Sequence, residues 1–198
     1  FNARGLYHAQ LGEKEAMLAD LSRCLSTARG LGQVTLERIA ERNLAEYLFL
    51  MDDLDAAEPH LRRALALDRR LAGGEGRAVI TLLDARVALY RGDLSTASAL
   101  LATILERQAA ARADGRGDAL LVPSEAVLCT MVELSLSDAS AADWDELEAR
   151  SLQSSVGQER IEVIEGRALC ALRHGRGEEA RLHLDRALTL ARKVPTGG

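Results

Sequence analysis

One stretch constrains this chain more than any other: Leu44 to Leu71, reading LAEYLFLMDDLDAAEPHLRRALALDRRL. Its apolar residues recur at spacings of three and four, the period of an amphipathic helix. Leu44, Ala45 and Leu48 share a face of the first half, and Ala57, Leu61 and Ala64 a face of the second. Met51-Asp52-Asp53 separates the halves, and Asp53 stands where a helix N-cap belongs. The stretch predicts two helices joined by a tight turn.

Copies of this frame recur at a spacing near forty residues. Gly5, His8, Gly12, Met17, Leu21 and Cys24 repeat it at the start. Ala85, Ala88, Gly92, Ala97, Leu101 and Ile104 repeat it in the middle. Ala168, Ala171, Gly175, Ala180, Leu184 and Ala187 repeat it near the end. The marker ahead of each second helix's apolar stripe falls at Met17, Ala57, Ala97, Ala142 and Ala180. Gly and Ala at such points let two helices approach, while a bulky Leu of the neighbour fills the space beside them.

Composition agrees with helices. Aromatics are 3% of residues and prolines number three, so long uninterrupted helices are allowed. The expected helices are 1–11, 13–29, 33–51, 54–71, 75–91, 94–112, 118–137, 140–154, 157–174 and 177–193. They pair into repeats 1–29, 33–71, 75–112, 118–154 and 157–193 of one domain. Gly30-Leu31-Gly32 and Gly73-Gly74-Glu75-Gly76 are the expected turns between repeats, and Val194 to Gly198 is a frayed tail.

Residues 113–155 fit the frame worst. Ala113 to Asp118 is a polar, Gly-containing break, and Glu133 and Glu146 fall where apolar residues belong. Ser140-Ala141-Ala142-Asp143 has the form of a capping box.

On these residues the chain resembles the tetratricopeptide repeat, in the extended form found in kinesin light chains and in bacterial signal-transduction ATPases, kinases and transcriptional activators. The run Ala57-Glu58-Pro59-His60-Leu61-Arg62-Arg63-Ala64-Leu65 is the most similar part. HEAT-type repeats share the period but lack this small-residue pattern. The resemblance implies an all-α fold, a right-handed α-α superhelix of about five helical hairpins. It also implies a concave groove, lined by the first helix of each pair, that binds a peptide or protein. Register then assigns to the groove Arg42, Glu46 and Phe49; Leu82, Arg86, Leu89 and Tyr90; Met131; and Glu165, Leu169 and Arg173. Apolar anchors with scattered Arg suit a peptide carrying an acidic group. The other reading of Glu46 and Arg86 is an ion pair between neighbouring repeats. The carboxylate clamp of chaperone-binding members is not carried over, because Glu46 stands where that clamp needs Asn.

Nothing in the chain has the form of a catalytic set: there is no Walker loop, HExxH, nucleophile elbow or kinase signature. The four histidines are scattered, and the three cysteines are too far apart for a zinc site or disulfide framework. No cofactor or metal is expected, and the cysteines read as core residues of a reducing, cytoplasmic compartment. A net charge of −5 without a basic face argues against direct nucleic-acid binding. Arg62-Arg63 and Arg69-Arg70 read as a solvated outer face. No apolar run reaches transmembrane length. The chain starts at Phe1 without Met, which predicts a piece of a longer protein.

The expectation is therefore a non-catalytic protein-interaction module, the regulatory or scaffold part of a larger signalling protein. The alternative is a ligand-sensing regulatory domain of a bacterial transcription regulator, signal-transduction ATPase or kinase. A homodimer is a further expectation, from the weak polar protection of Phe1 to Leu11.

Overall fold

The turns come first, because they set where every helix ends. In the computed structural model, Asp53 N–H donates to Leu48 C=O at 2.9 Å and Asp52 N–H to Phe49 C=O at 2.9 Å. That pair of bonds is the Schellman closure of a helix, with the penultimate turn residue left-handed. The same closure joins Glu13 to His8 at 2.9 Å, Gln33 to Ala28 at 2.8 Å, Asp93 to Ala88 at 2.9 Å and Arg176 to Ala171 at 2.9 Å. The left-handed residue is glycine at 12, 32, 92 and 175, but Asp at 52, with φ of 60°. Asp52 is the only non-glycine residue with positive φ among the described residues. A side chain there costs energy that glycine avoids, in part offset by glycine's greater freedom in the unfolded chain. Asp52→Gly is expected to raise stability by about 0.5 kcal/mol. An unchanged or lower urea midpoint would show that the Asp52 side chain makes a contact worth more than its strain.

The structure describes residues 1–71, 78–115, 121–152 and 158–192. Among them the chain is all-α: α1 (Asn2–Gln10), α2 (Lys14–Gly30), α3 (Val34–Leu50), α4 (Leu54–Leu71), α5 (Ala78–Tyr90), α6 (Leu94–Ala113), α7 (Pro123–Leu136), α8 (Ala141–Ser151), α9 (Gln158–Arg173) and α10 (Gly177–Ala191). The predicted Gly73 to Gly76 turn, the Arg116 to Asp118 end of the polar break and the Val194 to Gly198 tail lie outside the described residues. No described helix is long and apolar enough to cross a membrane.

Caps follow the sequence. Asp53 Oδ1 accepts from Ala56 N–H at 3.3 Å, and Asp93 Oδ1 from Thr96 N–H at 3.1 Å. Hydrogen bonding from Thr96 holds the Asp93 carboxyl below the usual carboxylate range. Ser140 and Asp143 form the reciprocal box, with Ser140 N–H donating to Asp143 Oδ2 at 2.8 Å. One start differs from expectation. The helix predicted from 118 begins at Pro123, because proline fits a first helical turn, where its missing N–H has no intrahelical partner to lose.

The contacts divide the chain into two compact units, Phe1–Leu83 and Asp84–Val194, with the boundary inside α5. In the first, α1 packs on α2, α2 on α3 and α3 on α4. Met17, Leu21, Leu25, Ala40 and Leu44 form its core cluster. Gly5 lets α1 approach: a Cβ there would sit 2.9 Å from Leu21 Cγ. Buried charges tie α2, α3 and α4 together. Glu41, 1% exposed, accepts from Arg29 Nη2 at 2.5 Å and lies 2.7 Å from His60 Nδ1. Glu37 accepts from Arg29 and Arg63, whose Nη2 is 2.9 Å away. So Arg63 belongs to this network, and Asp68 is buried beside Arg38 at 3.5 Å rather than offsetting surface arginines.

In the second unit α9 is central, packing on α7, α8 and α10. Gly166 makes the α7 contact close, since a Cβ there would meet Met131 Sδ at 2.6 Å. Ala97 and Ala180 are fully buried markers, as are Met17 and Ala57 in the first unit. Ala142 is exposed and is not a marker. The buried stripe of α8 is Trp144, Leu147, Glu148 and Ser151, so the frame has slipped there. Glu133 and Glu146 are exposed, which removes the apparent conflict with their polarity. Leu184 also departs from the frame, being exposed.

Candidate functional site

The candidate residues separate by burial. In the first unit, α3 carries Arg42, Glu46 and Phe49 along one side. Arg42 Nη2 meets Glu46 Oε2 at 2.8 Å, one turn on, and both side chains are partly exposed. Phe49 is buried, and so is Leu82 near the end of this unit. Those two belong to the core and line no open surface, which corrects their placement in a groove. Beside them, Asn43 Nδ2 donates to Asn2 Oδ1 at 2.9 Å, a polar link between α1 and α3 that periodicity does not reveal. Burial of Tyr47 pushes its hydroxyl pKa up.

In the second unit, Arg86, Leu89 and Met131 are buried as well. Arg86 Nη2 donates to Glu162 Oε2, and both side chains are 3% exposed. Such a guanidinium is unavailable to an outside group while the pair is closed. One turn further along, Tyr90 Oη donates to Glu165 Oε2 at 2.8 Å. Burial first, and then the nearby Glu165 and Glu162 carboxylates, push the Tyr90 hydroxyl well above its ordinary pKa. These two bonds bring α5 directly against α9.

What stays accessible is a strip of α9. Glu165 and Leu169 are half-buried, Leu172 is 51% exposed and Arg173 is exposed. They lie at spacings of three and four, so they share one side of the helix. Arg173 has a second task. Its Nη2 donates to Ser137 C=O at 2.6 Å, supplying a bond to an end carbonyl of α7 that the helix leaves open. A cation at a helix C-terminus also suits the helix dipole.

The buried carboxylates Glu37, Glu41, Asp68, Glu148 and Glu162 escaped the sequence reading. Glu162 had a signal: it interrupts the apolar run Ile161-Glu162-Val163-Ile164. A carboxylate inside such a run has a buried partner or is out of register.

Among the described residues no group of three His, Cys, Asp or Glu side chains could hold a metal ion. Cys129 is buried, and burial pushes its thiol up to about 11, which keeps it protonated near neutral pH. Cys170 Sγ lies 3.8 Å from His174 Nδ1, yet that nitrogen also sits 2.9 Å from Cys170 C=O. No protein-family model, curated protein or solved structure matches this chain.

Proposed function

We propose that this chain is a non-catalytic protein-interaction module, a tetratricopeptide-like superhelix serving a larger signalling protein. The recurring Schellman turn between helices, seen after Ala9, Arg29, Phe49, Leu89 and Leu172, supports the repeat reading. The observation that carries the binding role is the α9 strip. Leu172 exposes half its surface beside half-buried Leu169, with Glu165 and Arg173 at the two ends. An apolar centre with charged ends suits an amphipathic helix or an extended peptide.

Leu172→Glu tests this directly. The position is exposed, so stability should change by less than about 0.5 kcal/mol. Recovery of the partner in affinity capture, compared with the unaltered chain, should fall by about tenfold or more, equivalent to about 1.4 kcal/mol. Equal recovery of every protein by both forms would remove the strip as the binding surface.

A further inference from the structure

The two buried sides of α9 differ in chemistry. Towards α10 it presents Ile161, Ile164, Ala168 and Ala171, which pack with Ala180, Ala187 and Leu190. Towards α5 it presents Glu162 and Glu165, and towards α7 it presents Gly166. The contacts to α8 are also ionic: Arg167 to Asp145 at 2.7 Å, and Arg160 to Glu148 at 3.3 Å. The α9–α10 hairpin is thus apolar within itself and joined to its neighbours in large part through polar groups. Opening an apolar seam exposes surface that water penalises, whereas separated carboxylates, guanidinium and phenol are rehydrated. Buried ion pairs add little net stability over apolar contacts, and their best-attested use is in registry and switching.

We infer that the α9–α10 hairpin is a displaceable lid, in which Glu162 occupies Arg86 in place of a carboxylate on an incoming helical partner. The idea rests on the interaction-module reading and names the partner's chemistry. The partner is a helix that, like α9, carries a carboxylate one turn ahead of a small residue, as Glu162 stands ahead of Gly166. Its carboxylate would take Arg86, and its small residue would seat against Met131, where no Cβ of Gly166 would fit. The covering of Arg86 and Met131 is then a self-inhibited state of the same surface.

Two measurements decide it. In native-state hydrogen exchange of the whole chain, α9 and α10 amides should share an opening about tenfold or more populated than that of α7. A single common opening for α7, α9 and α10 overturns the lid. The second uses a labelled peptide with the sequence Gln158–Arg173 as probe. It should bind a Glu162→Lys chain about tenfold more tightly than the unaltered chain, because the reversed charge repels Arg86 and opens the lid. The same peptide with Glu162→Gln should lose that gain. Equal affinities in all three pairings overturn the proposal, and the exchange result stands even if the Glu162→Lys chain does not fold. Leu172 is exposed with the hairpin closed, so a failed lid leaves the strip to its own test.

Discussion

Arg86→Ala should destabilise the second unit by about 3–5 kcal/mol, the cost of taking the guanidinium away from a buried carboxylate. Glu162 is buried to the same degree as Arg86, so water does not replace the lost guanidinium cheaply. Glu162→Ala should cost a similar amount for the mirror reason. The paired change Arg86→Met with Glu162→Leu should recover most of the loss, or exceed the original stability by about 1–4 kcal/mol. Trp144 is the chain's single tryptophan, is 3% exposed and lies in this unit, so its fluorescence in urea is a local readout. A cost below about 1 kcal/mol for Arg86→Ala would mean that water already reaches the pair.

The second large effect belongs to the other unit. Leu21 is fully buried in the cluster with Met17, Leu25, Ala40 and Leu44. Leu21→Ala should cost about 2–5 kcal/mol, combining lost burial with the cavity left behind. Gly5→Ala should cost about 1–3 kcal/mol, because its new Cβ would press on the Leu21 side chain. The double variant should cost less than the sum by about 0.5–3 kcal/mol, since the methyl added at position 5 enters space that Leu21 has left. Urea denaturation followed by far-ultraviolet circular dichroism gives all four corners of the cycle. Strict additivity would show that α1 shifts away from α2 instead of clashing.

Local chemistry was legible, and long-range covering was not. Asp53 capping α4 and Ser140 with Asp143 capping α8 depend on residues within one turn of each other. The left-handed turn positions 12 and 92 were legible because glycine marks them, and 52 because the frame puts Asp at the same place. Ala57, Ala97 and Ala180 were legible as buried markers because helix spacing alone selects them. The α8 register was missed because Trp144, Leu147 and Ser151 make a helical stripe of their own, two residues out of the frame of Ala142. For the site, periodicity correctly grouped Arg86 with Leu89, and Glu165 with Leu169. It could not say that another helix covers a side: Arg86 meets Glu162 across 76 residues of sequence. Phe49, Leu82, Leu89 and Met131 have the right spacing for a binding surface and the wrong burial.

The recurring turn has a kinetic side. Each one reverses the chain within about three residues, so the two helices it joins meet across short loops. α1 with α2, α3 with α4, and α9 with α10 can each gain apolar contact before any long loop closes. The contact between Arg86 and Glu162 must wait for several such hairpins to gather. A chain made this way assembles hairpin first and joins its distant polar groups last.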